Sequence, residues 1–495
     1  MICPPDDNEL TSYIAKPKGL AVWAGLLSFM PLVAGMVLFL QATLMDTWFY
    51  LPFFALTVFY LSVSYLIGVF SPSYDISKYN RIYAQLKHLK PSVDVYLPVC
   101  GEDKHIIANA WSHTKRLQWP SLNIYVLDDS PTDSLRELAE SYGFHYIRRP
   151  NRGENKKAGN LKYAFTRTRG DHILILDADF CPRPDMIERI MPVMLSDNRI
   201  GIVQSPQFFD VSPWMSWVER GAGYVQELFY RVIQVSRNHY QGPICVGSCA
   251  LYNRKAMELI GGPVQIEHSE DVWTGYTLTT HGYRVEYLPL ALSKGRCPDS
   301  LSQYFNQQYR WCSGSLSLGL SSQFWESNLT ALQKVCYSSG FLYYITTALS
   351  LFLLHAPGLF MMWFLPEKIY AINIMFYAPS FLFGTAFILA WSVYKPDWNY
   401  LYLRQVSYYA HLFALTDKLR GKIHGWVPTG QKGGPSRYHK ARRVAFVLNA
   451  TILTLLAFGA ANALQYNSLW QLLPPLVFSV LNAAIAIRSF TKREA

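Results

Sequence analysis

Six apolar runs long enough to cross a bilayer constrain this chain more than any other feature of its sequence. A spanning helix takes roughly 20 predominantly apolar residues. Leu20 to Leu40 and Trp48 to Phe70 meet that length before a long mixed segment. Gly340 to Leu365, Ile369 to Tyr394, Val444 to Leu464 and Leu469 to Ile487 meet it afterwards, with Pro357 and Pro379 inside two of them. Membrane helices tolerate such prolines. The first run is too long for a cleavable signal peptide and has no convincing small-residue cleavage site. Loop charge then sets orientation. Lys16 and Lys18 precede the first run, and the links near 366–368 and 465–468 are short and nearly uncharged. The stretch from Lys395 to Arg443 carries Lys418, Arg420, Lys422, Lys432, Arg437, Lys440, Arg442 and Arg443, and Arg488, Lys492 and Arg493 follow the last run. The positive-inside rule places the N-terminus, the long segment, the basic loop and the C-terminus in the cytosol. The expected layout is a cytosolic 1–18, two spans in 19–70, a cytosolic domain over 71–330, two spans in 331–394, a basic loop over 395–443, two spans in 444–490 and a cytosolic 491–495. This is a multi-pass membrane protein, expected in the plasma membrane.

At 495 residues the chain is too long for one ordinary core. Its 51 % hydrophobic and 16 % charged residues agree with a membrane protein that has a soluble part. The net charge of +11 sits beside apolar segments, so anionic lipid and an anionic substrate suit it better than nucleic acid. Eight cysteines without metal or disulfide spacing read as free thiols of a reducing compartment.

The segment from about 91 to 330 reads as an α/β domain. Val93 to Val99 and Leu122 to Leu127 suit buried strands, and Asp133 to Tyr142 and Ala158 to Thr168 suit amphipathic helices. Such alternation predicts a mostly parallel sheet. Ile173 to Leu176 is another buried strand, and it breaks into Asp177-Ala178-Asp179 before Pro182 and Pro184. Two carboxylates at i and i+2 stand there where α/β folds bind ligands, outside the carboxyl ends of the strands. Paired carboxylates suit a hard divalent metal, which neutralises charge on a leaving phosphate. A solvated turn has the same local pattern.

Four other polar clusters share the domain, and each has a bland reading beside a chemical one. Asp128-Asp129 ends a strand, where it can cap the next helix or recognise a ribose or base edge. Asn155-Lys-Lys157-Ala-Gly-Asn160 puts cations at a helix start, where an anion is favoured, or forms a solvated basic turn. Ser269-Glu270-Asp271 offers a capping pair or a general base. Gln307-Gln-Tyr-Arg310-Trp311 offers a phosphate-binding guanidinium and an indole for a sugar face, or a membrane-interface anchor.

Asp128-Asp129, Lys157-Ala-Gly-Asn160, Asp177-Ala-Asp179, Ser269-Glu-Asp271 and Gln307-x-x-Arg310-Trp311, in this order, resemble the processive, membrane-integrated family-2 glycosyltransferases. Those are the cellulose synthase-like enzymes, with hyaluronan and chitin synthases as relatives. The resemblance covers about residues 20 to 490, and Val203-Gln-Ser-Pro-Gln-Phe-Phe209 and Cys245-Val-Gly-Ser-Cys249 look more like cellulose synthase segments. It implies an A-type glycosyltransferase domain with a Rossmann-like sheet between membrane helices. It implies an inverting transfer of glucose from a UDP-glucose donor to a growing β-glucan, cellulose or mixed-linkage, that leaves through the membrane. Glu102 and Asp128 or Asp129 would face the uridine, with Lys157 near the nucleotide. Asp177 and Asp179 would hold the diphosphate and its Mg²⁺ or Mn²⁺. Asp271 would be the base, beside Glu270; Gln307 and Arg310 would bind the diphosphate; and Trp311 would stack on the acceptor sugar. Trp426-Val-Pro-Thr-Gly-Gln-Lys432 looks like a gating loop, with Thr429 and Lys432 on the diphosphate, although it also reads as a basic membrane-surface loop.

The pattern has departures. Ser269 replaces the usual Thr and keeps the hydroxyl, Phe180 stands where His is common and cannot ligate, and Cys100 stands at a common Tyr or Asn position. No cyclic-dinucleotide domain follows the last run, so regulation by that route through this chain is not expected. The alternatives are another UDP-sugar polymerase (chitin or hyaluronan-like), single-sugar transfer to a lipid, and an inactive channel or scaffold. Asp179, Asp271 and Arg310 speak against the last. Accessory subunits stay open, since a second membrane or wall would need partners outside this chain.

Overall fold

The structure is a computed structural model and describes residues 1–15, 18–392, 395–422 and 436–493. Its centre is a seven-stranded sheet in the order His145–Ile147, Leu122–Asp128, Val93–Val99, His172–Ile175, Ala250–Asn253, Ile200–Gln204, Arg284–Tyr287. Ala250–Asn253 runs antiparallel to both of its neighbours, and the other six strands point the same way. The expected mostly parallel sheet is therefore present, with one reversed strand. All seven residues of Val93–Val99 are buried, as a strand covered on both faces requires. Helices Lys104–Thr114, Lys156–Phe165 and Met186–Leu195 cover the sheet. The helix expected over Ala158 to Thr168 starts two residues earlier and ends at Phe165.

Among the described residues, six helices are long and apolar enough to cross a membrane: Lys18–Thr43, Trp48–Phe70, Ala331–Phe364, Ala371–Trp391, Tyr438–Ala463 and Leu469–Thr491. They carry exposed large side chains such as Phe59, Phe70, Phe458 and Trp470, a surface suited to lipid. Two precede the α/β domain and four follow it, as the runs of the sequence imply.

The basic stretch after Lys395 is not a loop throughout. Asn399–Leu419 is a helix with Leu403, Val406, Tyr409, Ala410 and Phe413 buried. Those positions recur every three to four residues, the period of one helix face, but charge dominates the stretch when it is read only for orientation. This helix packs lengthwise on Leu301–Gly319 and on Ala331–Leu353. A second connecting element runs from Trp217 to His239, with a wider turn over Phe229–Ile233. The N-terminal arm is also ordered: Lys294 Nζ reaches Glu9 at 2.6 Å, and Arg231 Nη1 donates to the Ser12 carbonyl at 2.5 Å.

Candidate active site

The carboxyl ends of the central strands open onto a cavity of about 1030 Å³ that continues between the membrane helices. Glu102, Asp129, Lys157, Asp177, Asp179, Glu270, Asp271, Gln307, Arg310 and Trp311 all line it. These positions span more than two hundred residues of sequence, and the sheet brings them to one edge.

Val93–Val99 delivers Glu102, whose carboxylate accepts the Cys100 N–H at 2.6 Å. Burial pushes Glu102 up to about 7. Cys100 lines the same wall, its thiol donating to the Asp129 carbonyl at 3.8 Å. The two carboxylates that end Leu122–Asp128 part company. Asp128 is fully buried and is absent from the cavity lining. It accepts the Tyr146 hydroxyl at 2.5 Å and the Ser130 N–H at 2.8 Å. Of the expected pair only Asp129 reaches the cavity, and Arg149 grips it with two hydrogen bonds of 2.7 and 2.5 Å. Arg149 is 2 % exposed, so this bidentate pair fixes the carboxylate without solvent. The sequence gives Arg149 no motif; only the Arg148-Arg149 doublet after a short strand hints at it.

His172–Ile175 delivers Asp177 and Asp179. The Asp177 N–H donates to Ser248 Oγ at 2.9 Å, and its Oδ1 accepts Lys157 Nζ at 2.5 Å. Lys157 also donates to the Gly247 carbonyl at 2.9 Å. Burial opposes the charge of Lys157, but Asp177 and Glu270 outweigh it and hold the ammonium above its ordinary value. Burial, with Asp177 beside it, pushes Asp179 up to about 7. Phe180 turns into the core and packs edge-on against Phe209.

Ser269 takes a left-handed conformation (φ 57°) and starts the helix Glu270–Thr280, so both acids fall in its first turn. Two glycines make room for them. Gly247 has φ +74°, and a Cβ there would lie 2.7 Å from Asp271 Oδ2. A Cβ on Gly314 would collide with Ser269 Oγ, so the helix bearing Arg310 and Trp311 lies directly against the acidic turn. Burial and the Glu270 carboxylate raise Asp271, while Lys157 opposes the shift. Burial also raises Glu270. Burial brings Arg310 down to about 10 against the pull of Glu270, Asp177 and Asp271, which leaves it a cation at neutral pH. The amide oxygen of buried Gln307 has no hydrogen-bond partner among the described residues.

Chemically, the cluster combines a carboxylate held above its usual range, a half-buried cation beside it and an indole on one wall. Asp177 and Asp179 fit part of a divalent metal's shell: both are hard oxygen donors, and the burial that raises Asp179 would be offset by a cation. No group of three or more His, Cys, Asp or Glu side chains among the described residues could complete that shell. The remaining ligands would come from substrate oxygens or water. Thr429 and Lys432 lie outside the described residues.

The sequence profile of Glycosyl transferase family 2 matches residues 94–261, the part of the sheet that carries Glu102, Asp129, Lys157, Asp177 and Asp179. The catalytic subunit of cellulose synthase 1 [UDP-forming] from Komagataeibacter xylinus is 33 % identical over 255 residues, 50 % of this chain and 34 % of the relative. The cellulose synthase catalytic subunit [UDP-forming] of Pseudomonas fluorescens is 30 % identical over 273 residues, 54 % of this chain and 37 % of the relative. Residues 94–261 thus match a family-2 glycosyltransferase domain, and the chain is similar to cellulose synthase catalytic subunits. Its matches span little more than a third of the length of those curated relatives. The glycosyltransferase domain has the A-type fold. A mannosyltransferase from Pyrobaculum calidifontis, solved in complex with GDP-Man and Mn²⁺, superposes with a TM-score of 0.52 at 18 % identity, over 75 % of this chain and 99 % of that one.

Proposed function

We propose that the chain transfers glucose from UDP-glucose to a growing β-glucan with inversion, and passes the product outward through its own helices. The observation that carries this reading is the continuity of one cavity. The acidic turn with Asp271, the wall with Trp311 and the membrane-helix residues Tyr60, Tyr343 and Phe383 all line it. A transferase that released a small soluble product would have no use for a passage between membrane helices. The UDP-forming cellulose synthases among its relatives support the donor and the polymer.

In this reading Asp271 takes the proton of the acceptor hydroxyl as that oxygen attacks the anomeric carbon, and Glu270 beside it keeps Asp271 basic. The bond to the diphosphate breaks in the same displacement, so no second nucleophilic carboxylate is needed. Arg310 and Gln307 orient the diphosphate and offset charge on the leaving group. Lys157, held by Asp177 and the Gly247 carbonyl, orients that carboxylate and the nucleotide. Glu102 and Asp129 face the uridine, and Trp311 supports the acceptor ring. Asp177 and Asp179 would hold Mg²⁺ or Mn²⁺, which when bound supplies charge neutralisation at the diphosphate. The domain would sit on the cytosolic side of the plasma membrane, where UDP-sugars are made.

The test is polymer synthesis by purified, detergent-solubilised chain with Mn²⁺ and radiolabelled UDP-glucose or UDP-N-acetylglucosamine, followed by cellulase, lichenase and chitinase digestion. High-molecular-weight product from UDP-glucose that cellulase or lichenase cuts is expected. Short lipid-linked product, or none from either donor, would contradict the reading.

A further inference from the structure

Among the described residues, buried arginines have carboxylate partners, with one exception. Arg149 is paired with Asp129, Arg231 with Glu227, Arg254 with Asp94 and Arg183 with Asp185. Arg237 is 4 % exposed and lines the same cavity, yet no Asp or Glu reaches it among the described residues. Its Nη2 donates to Ser339 Oγ at 2.8 Å, and its Nε has no hydrogen-bond partner. A guanidinium carries five N–H donors and stays charged in proteins. Burying such a cation without a counter-charge is strongly unfavourable. A fold that keeps it there, on the wall of a passage, leaves donors for something that arrives.

Its place in the fold says what arrives. Arg237 sits on Gln234–His239, at the end of an element from the glycosyltransferase domain, and Ser339 sits on the membrane helix Ala331–Phe364. The side chain therefore marks the point where the cavity leaves the catalytic domain for the bundle. Arg404 lines the same stretch: its Nη1 donates to the Gly384 carbonyl at 2.5 Å, and its Nε is also unpartnered. Tyr60 and Tyr343, ring centroids 6.5 Å apart, form part of the wall between membrane helices. Aromatic faces with hydrogen-bond donors suit the two sides of a sugar ring, apolar on its faces and rich in oxygen acceptors at its edge.

We propose that Arg237, assisted by Arg404, holds the hydroxyl and ring oxygens of the leading sugars of the product, and so sets how many transfers follow one another before release. The proposal rests on the polymerising reading above and assigns Arg237 a role in product length, separate from the transfer step at Asp271.

The full-length chain is compared with Arg237→Gln and Arg237→Lys for product length from UDP-glucose, KM for UDP-glucose and binding of cellohexaose. Arg237→Gln is expected to shorten the product several-fold and weaken cellohexaose binding, with the donor KM unchanged. Arg237→Lys, which keeps the charge but loses the planar fork, is expected to fall between. Unchanged product length in Arg237→Gln would overturn the proposal, as would parallel losses in length and donor KM, which indicate a structural role. If the unaltered chain makes no polymer, the polymerising reading fails by itself. Cellohexaose binding then decides: binding that Arg237→Gln weakens upholds the subsite, and no binding to the unaltered chain overturns it. Tighter binding of an oligoglucuronate than of cellohexaose would overturn the assignment to neutral sugars.

Discussion

The two ends of the cavity are built on opposite electrostatic plans. At the sheet end Glu102, Asp177, Asp179, Glu270 and Asp271 crowd together with Lys157 and Arg310 among them. At the bundle end the lining mixes apolar side chains such as Leu61, Ile67 and Phe383 with tyrosines, serines and two arginines that no carboxylate pairs among the described residues. The first end suits a reaction in which a proton and a diphosphate must be handled. The second suits a polymer that must be held through many weak contacts and still move. The difference separates chemistry from passage: the acidic end should decide whether a bond forms, and the bundle end how long the product becomes.

The largest effect that sharpens this division is expected for Asp271→Asn. It removes the proposed base and keeps the shape, so transfer should fall by about 10²–10⁴-fold while UDP binding persists; a rate assay with calorimetric UDP titration checks both. Loss of UDP binding in step with the rate would blur the division. Next comes Arg149→Ala, which strands Asp129 without its buried partner. Breaking such a pair costs about 3–5 kcal/mol, so the thermal unfolding midpoint of the solubilised chain should drop and UDP affinity fall with it.

The pH profile follows in size. Asp271 is raised above the ordinary carboxylate range by burial and by Glu270. A base works only when deprotonated, so the transfer rate should be lost as pH falls through this raised value and recovered above it. The acidic limb of kcat/KM against pH should therefore lie above that of a free carboxylate. A limb at the ordinary carboxylate position would mean that the acidic end is wetter than the structure indicates. The smallest effect belongs to the bundle side. Tyr409→Phe removes the hydroxyl that Asn449 Nδ2 reaches at 2.9 Å. Such a hydrogen bond contributes about 1 kcal/mol, so a small drop in unfolding temperature with an unaltered transfer rate is expected.

The acidic end was the legible one. Asp177-x-Asp179, Ser269-Glu270-Asp271 and Gln307-x-x-Arg310-Trp311 are short runs whose spacing is set by one strand end or one helix turn, so the sequence displays them as neighbours. The six spans were legible for a similar reason, since a bilayer demands a contiguous apolar length. Asp128 shows where adjacency misleads: next to Asp129 in sequence, it points the other way, as alternate strand residues do, and is taken up by Tyr146. The bundle end left no such trace. Arg237, Ser339 and Arg404 come from three elements far apart in the chain, and only packing joins them. The Asn399–Leu419 helix was hidden in another way, its apolar positions legible only once the basic count around them is set aside. Gly247 and Gly314 stand out only when the backbone shows what a Cβ would strike.

The most direct test of the central claim, that one cavity joins transfer to passage, uses the purified chain reconstituted into sealed vesicles with its glycosyltransferase domain outward. UDP-glucose and Mn²⁺ are added outside, and labelled product is scored before and after external cellulase and lichenase. The account predicts polymer inside the vesicles, resistant until detergent opens them. Polymer that the external enzymes digest completely without detergent would contradict it.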